Sequence, residues 1–295
     1  MRALRVLVTG AGGQLGRDVV LACEAAGDTV FALGRTELDV TDRDAVLGVV
    51  TTLGPDVVVH CAAWTAVDAC EADAGRAMTH NALAVRFVAE GCARVGAHLV
   101  HVSTDYVFDG AKGSPYDEWD EPNPQSVYGR SKLAGEHEAL VLGTGAAVVR
   151  TSWLCGEHGP NMVKTILRLA GEQDELSFVD DQVGCPSFTA DLAPMLRRLG
   201  VDRRSGIHHV TNGGAVSWFG FAQEVLRAGG MDAGRVRPIA TSDLHPARPA
   251  PRPANSVLDN CVLRANGLRP LRDFRGPLAE LVGVLTSAGP GVSGP

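Results

Sequence analysis

The chain has 295 residues, 45% of them hydrophobic and 21% charged, with a formal net charge of −7. That composition supplies the core of an ordinary soluble globular protein and makes disorder the poorer expectation. The charge excludes a broad basic field for nucleic acid or an anionic membrane, so any anionic ligand has to be met locally.

The apolar run at residues 6–8 is cut off by 9–13 too early for a signal-peptide core. No uninterrupted apolar stretch approaches the ~20 residues of a membrane span, and a cytoplasmic chain is expected. Seven cysteines, at 23, 61, 70, 92, 155, 185 and 261, are odd in number and never form a Cys-x-x-Cys pair. They read as reduced, structural thiols. His98 and His101 lie three apart in an expected strand and would face opposite ways, and His208 and His209 are adjacent, so neither pair suggests a metal site.

In chain order, β-branched runs at 6–9, 29–33, 57–60, 99–103 and 147–150 read as strands. Amphipathic stretches at 14–25, 42–53, 72–95 (as two helices) and 126–142 read as helices between them. This alternation predicts an α/β fold, a Rossmann-type doubly wound parallel sheet over 1–150, with a smaller C-terminal substrate-binding lobe over 151–295. Helices are expected near 161–171 and 218–228, a strand at 207–211 returning to the sheet, and a frayed Gly/Pro/Ser-rich tail at 286–295.

The first strand runs into Thr9-Gly10-Ala11-Gly12-Gly13-Gln14-Leu15-Gly16. Gly10, Gly13 and Gly16 allow a tight turn, close approach to a pyrophosphate and close helix–strand packing, with Gln14 and Leu15 opening a helix whose amides face the anion. After the second strand stands Arg35, which favours the extra phosphate of NADPH over NADH. Asp39 and Val40 could border the adenine, although Asp39 could equally cap nearby backbone. Ala62, Ala63 and Thr65 follow the third strand and Val102 lies near the end of the fourth, all four in position to line a cofactor.

Tyr128 and Lys132 are i and i+4 on one helix face. A free phenol titrates near ~10. An ammonium ~4 Å away at an effective dielectric of ~20 would stabilise the phenolate by about 4 kcal/mol, roughly three pKa units. Thr104, at the exit of the fourth strand, could hold the substrate oxygen while Tyr128 delivers the proton.

The glycine loop, Ser103-Thr104-Asp105-Tyr106-Val107-Phe108-Asp109-Gly110 and Tyr128-Gly129-Arg130-Ser131-Lys132-Leu133-Ala134-Gly135-Glu136 resemble the extended short-chain dehydrogenase/reductases, specifically the dTDP-4-dehydrorhamnose reductases. Similarity continues through Ala62-Ala63-Trp64-Thr65-Ala66-Val67-Asp68, Arg150-Thr151-Ser152-Trp153-Leu154 and Ser217-Trp218-Phe219, and so covers nearly the whole chain. The resemblance implies NADPH-dependent reduction of a dTDP-linked 4-keto sugar, with Thr104, Tyr128 and Lys132 as the catalytic set. Val67, Asp105, Tyr106 and Trp153 match positions facing sugar or nucleotide, and Arg252 lies in a segment that closes on the nucleotide. Asn81 matches a helical asparagine for which capping or packing is at least as good a reading as a proton relay. The family leaves room for NADH, for a homodimer and for Mg²⁺ in assembly, although the sequence offers no ligand set for that ion. Cys155 and Ser187 stand where tyrosine and threonine are common, which bears on substrate detail and not on the chemistry.

A dehydratase or epimerase of the same fold is the nearest rival. The Thr104-Asp105-Tyr106 run lacks the glutamate that elimination usually requires. A non-catalytic regulatory subunit, like that of methionine adenosyltransferase, is the alternative from another class.

Overall fold

The computed structural model describes residues 3–142 and 145–287. Five parallel strands are β1 (Arg5–Thr9), β2 (Thr29–Leu33), β3 (Val57–His60), β4 (His98–Thr104) and β5 (Ala147–Thr151). A sixth, Gly206–His209, pairs parallel with β5, giving the order (206–209)-β5-β4-β3-β1-β2. Val57, Val58 and Val59 are all buried, as expected of a strand covered on both faces.

The helices alternate with these strands. They are α1 (Gln14–Ala25), α2 (Arg43–Leu53), α3 (Val67–Ala72), α4 (Ala74–Met78), α5 (Ala84–Val95) and α6 (Val127–Val141). Asp42 and Ser126 cap α2 and α6 through their side chains, and Gly54 and Gly96 end α2 and α5 in the left-handed region. On one face, Val6, Val8, Val59, Val100 and Val149 pack under α1; on the other, Leu7, Val58, Leu99 and Val148 pack under α2, α5 and α6.

The stretch 72–95, expected as two helices, is more broken. Asp73 caps α4 through the Arg76 amide, and a π-helical turn at Thr79–Leu83 joins α4 to α5. A Cβ at Gly135 of α6 would lie 2.1 Å from the Asn81 carbonyl, so α6 presses directly on this turn. A local widening of this kind has no hydrophobic period of its own, which is why the pattern does not show it.

Beyond residue 151 the chain builds a second core and also revisits the first. Helices α7 (Met162–Glu172), α8 (Thr189–Val201), α9 (Trp218–Ala228), α10 (Cys261–Ala265) and α11 (Arg275–Ser287) follow in order. Leu192, Leu196 and Leu199 of α8 and Leu263 of α10 join the β1–β5 core. Phe188, Phe221, Phe274 and Ile166 centre the other. Of the frayed tail expected at 286–295, Thr286 and Ser287 instead close α11, their hydroxyls bonded to the Val282 and Gly283 carbonyls, and 288–295 lie outside the described residues. Among the described residues no helix is long and apolar enough to cross a membrane.

Candidate active site

Two adjoining clefts open along the carboxyl ends of the parallel strands. One, of about 420 Å³, runs from the glycine loop to Tyr128 and Lys132. The other, of about 570 Å³, is walled by Trp153, Phe178, Trp218, Arg248 and Arg252. Thr65, Val67, Tyr106, Trp153 and Leu154 line both.

The glycine loop meets the requirements for a dinucleotide. Gly10 has φ +67°, and a Cβ there would lie 2.7 Å from the Ala62 amide nitrogen. A Cβ on Gly16 would lie 2.2 Å from the Gly10 carbonyl, so this glycine lets α1 pack against the turn. Gly13 caps α1 without any side-chain hydrogen bond, and no acidic residue stands in the first turn. The amides at that end are therefore left to an anion. Gln14 is held from the other side: its Nε2 donates to the Leu154 carbonyl at 3.1 Å and its Oε1 accepts from Asn161 at 2.7 Å. Together these features fit the pyrophosphate of a dinucleotide.

Of the other expected cofactor positions, Ala63, Thr65, Leu15 and Val102 line the first cleft, while Ala62 packs against Gly10. Arg35, Asp39 and Val40 do not line it. Arg35 is exposed past the end of β2, Asp39 accepts from the Thr41 amide and hydroxyl, and Val40 packs toward the α2 side of the core. Asp39 thus has the capping bond that the sequence left open as its alternative.

Tyr128 and Lys132 are both buried on the first half of α6. The Lys132 ammonium donates to the Val102 carbonyl at 2.7 Å. Burial pulls its pKa down to about 8, against the favourable field of Glu136. Tyr128 does not show the downward tuning expected from Lys132. Its own burial pushes the phenol upward, the Asp105 carboxylate adds to this, and the neighbouring Thr104 side chain opposes both. Lys132 is not among the principal influences on the phenol, and its ammonium donates one of its three N–H groups to the end of β4.

Behind these groups lies a buried polar layer. Ser103 donates to Glu136 Oε1 at 2.5 Å, and Arg150 grips the same carboxylate through Nε and a second nitrogen at 2.7 Å. Both partners are 1% exposed, so removing either would leave an uncompensated buried charge. Asn81 is fully engaged: its Oδ1 accepts from the Trp64 amide, and its Nδ2 donates to the Trp64 carbonyl and to Ser131 Oγ. Bracing of the 61–67 loop is therefore its structural role.

At the second cleft, Trp153 takes φ +48°, a conformation that costs a non-glycine residue energy. It stacks on Trp218 with ring centroids 3.5 Å apart, and Gly184 leaves room for the indole, since a Cβ there would lie 2.6 Å from the ring. Arg252 is bound to both Asp68 carboxylate oxygens, at 2.5 and 2.7 Å. Cys155 and Ser187 are buried, their side chains bonded to the carbonyls of Trp153 and Cys185. Sequence reasoning missed Arg248 and Phe178 on this wall, residues with no motif of their own. Among the described residues no group of three or more His, Cys, Asp or Glu could hold a metal ion, which leaves the Mg²⁺ expectation without a site.

Comparison with known proteins agrees with this geometry. Residues 4–287 match the family model for the RmlD substrate binding domain. A dTDP-4-dehydrorhamnose reductase of Streptomyces griseus is 46% identical over 298 residues, covering 99% of this chain and 97% of that one. The crystal structure of a Clostridium acetobutylicum dTDP-4-dehydrorhamnose reductase superposes with a TM-score of 0.92 at 40% identity, covering 96% of this chain and 99% of its own. That of a Bacillus anthracis dTDP-4-dehydrorhamnose reductase in complex with NADP gives 0.90 at 36% identity, covering 97% and 100%. The chain belongs to the dTDP-4-dehydrorhamnose reductase family.

Proposed function

We propose that the protein reduces the C4 carbonyl of dTDP-4-dehydro-β-L-rhamnose to dTDP-β-L-rhamnose with NADPH, in the cytoplasm. The observation that carries this reading is the seam between the two clefts, where Thr104 and Tyr128 line one cleft between a glycine loop suited to pyrophosphate and a wall of tryptophan and arginine. The NADP complex of the Bacillus anthracis relative supports NADPH.

When bound, the dinucleotide supplies a hydride to the substrate carbonyl. Thr104 and Tyr128 hold the carbonyl oxygen, and the Tyr128 hydroxyl proton passes to it as it becomes an alkoxide. The phenol's upward shift in the protein alone fits a group that keeps its proton until an alkoxide, a stronger base, is beside it. Lys132 fixes the face of α6 against β4 through Val102 and brings a positive charge to the cofactor side. Arg248 and Arg252 provide cations for the diphosphate, and Trp153, with Val67 and Tyr106, shapes the space for the sugar. Asp105, fully buried beside Thr104, orients that hydroxyl by accepting from it at 2.8 Å.

In this reading, 1–150 form the cofactor part, completed by α8, the strand at 206–209 and α10, and the remainder forms the nucleotide-sugar lobe. The deciding experiment is NADPH oxidation with dTDP-4-dehydro-β-L-rhamnose and identification of the product. One NADPH consumed per sugar supports a reductase. Turnover of a nucleotide sugar without net NADPH consumption would point to an epimerase or dehydratase instead.

A further inference from the structure

We propose that Asp68 is a positioning residue for the nucleotide sugar: it holds the Arg252 guanidinium in the orientation that meets the diphosphate, an inference that deepens the reductase reading above and rests on it. Asp68 stands in the first turn of α3, where an acidic side chain ordinarily complements the free amides of its own helix. Here its bonds go elsewhere. Its Oδ1 accepts from the Ala250 amide at 3.1 Å and from Arg252 Nη1 at 2.5 Å, and its Oδ2 accepts from Arg252 Nη2 at 2.7 Å. These partners lie 182 and 184 positions further along the chain.

A two-point grip fixes the plane of a guanidinium as well as its position. Arg252 Nη1 also donates to the Ala250 carbonyl at 2.7 Å, so carboxylate, guanidinium and residue 250 close a ring. Three of the five guanidinium N–H groups are used in this way, and the others are left for a ligand or for the neighbouring Tyr106 hydroxyl. The Arg252 side chain is 12% exposed and that of Asp68 40%, and a pair this open to water adds little to stability. What it adds is direction. The bonds from Arg252 hold the Asp68 carboxyl below its ordinary range, so the grip persists at neutral pH.

Arg248 lines the same cleft under opposite conditions. Its side chain is exposed, with no hydrogen bond or ion pair among the described residues. It rides on the span between Thr241, tied to Asp181 and Gln182, and Ala250, tied to Asp68. The uncompensated charge offered to a diphosphate is thus that of Arg248, whereas Arg252, paired with Asp68, offers donors already set in place. Donors set in advance cost a ligand less ordering than free ones. The opposite role for Asp68 would be an internal anion that occupies Arg252 until the diphosphate displaces it. Displacement would leave the carboxylate unpaired beside an incoming anion, whereas the remaining N–H groups let the diphosphate be met with the grip intact.

The test is a double-mutant cycle on the full chain with Asp68→Asn, Arg252→Ala and the two combined. Its readouts are the Kd for dTDP by calorimetry and KM and kcat for NADPH-dependent turnover of the 4-keto sugar. Asparagine keeps an oxygen for the Ala250 amide and removes the charge that grips the guanidinium. Asp68→Asn should weaken dTDP and raise KM for the sugar by roughly tenfold, although the site becomes more positive. The kcat and the Kd for NADP⁺ stay near wild type. The combined variant should bind dTDP no more weakly than Arg252→Ala, because Asp68 acts only through that arginine. Unchanged or tighter dTDP binding in Asp68→Asn overturns the positioning role, as do additive losses in the combined variant or a parallel loss of NADP⁺ affinity. If the wild type binds NADP⁺ but neither binds dTDP nor reduces the sugar, the reductase reading fails and the positioning role with it.

Discussion

The two clefts are built in opposite ways. The cofactor side is made of short, local pieces: a turn after β1, a loop after β3, the end of β4 and one face of α6. Each is a strand exit or a helix start, and backbone does much of the binding there through glycines and uncapped amides. The nucleotide side gathers Thr65, Tyr106, Trp153, Phe178, Trp218, Arg248 and Arg252, spread over almost two hundred positions and held by stacking and side-chain ion pairs. The first surface should therefore be sensitive to added atoms, and the second to lost ones.

Replacement at the seam gives the largest effect. Tyr128→Phe should lower kcat by about 10²–10⁴-fold while the Kd for NADP⁺ stays near wild type. Near-normal turnover in this variant would remove Tyr128 from the role of acid. On the nucleotide side, Arg252→Ala removes a guanidinium and strands Asp68. It should raise KM for the nucleotide sugar by roughly 10–100-fold and leave NADP⁺ affinity alone, as charge-assisted contacts of this kind are worth about 1.5–3 kcal/mol. Parallel weakening of NADP⁺ would show that the two surfaces are not separable.

On the cofactor side, a single added methyl discriminates between glycines. Gly16→Ala forces a Cβ to 2.2 Å from the Gly10 carbonyl, whereas Gly12→Ala meets nothing within 4 Å. The first should lose about 1–3 kcal/mol of stability and much of its NADP⁺ affinity, and the second should lose little of either, as thermal unfolding and cofactor titration would show. Equal behaviour of the two variants would mean that the loop opens more readily than its packing implies.

The smallest effect is a gain. Asp105 is buried with its carboxyl raised to about 6 from 3.8, so the folded state binds its proton more tightly than the unfolded chain does. The cost of the buried charge is absent below the unfolded pKa, grows between the two values and is complete above about 6. Asp105→Asn should therefore raise Tm by a few degrees at pH 7.5 and by less at pH 5, while impairing turnover. A loss of stability at both pH values would show that the bonds from Thr104 and Ser256 outweigh the desolvation.

The sequence by itself determined much of the cofactor half. Strands 29–33 and 57–60 and helix 14–25 coincide with the observed Thr29–Leu33, Val57–His60 and Gln14–Ala25, and in the other lobe helix 218–228 coincides with Trp218–Ala228. Hydrophobic period and capping residues are local signals, and the glycine turn, Thr104 and the Tyr128–Lys132 spacing lie within such elements. Resemblance supplied Trp153 and Arg252, which no period marks.

Tertiary structure alone decided the rest. It turned Lys132 toward Val102, occupied Asn81 with Trp64, and brought α8 and α10 back to the sheet core. It also placed Ser256 against Asp105, 151 residues away in sequence. The reason is physical: a backbone preference is set by a few neighbouring residues, whereas the partner of a buried polar group is set by what the packed fold leaves within about 3 Å of it.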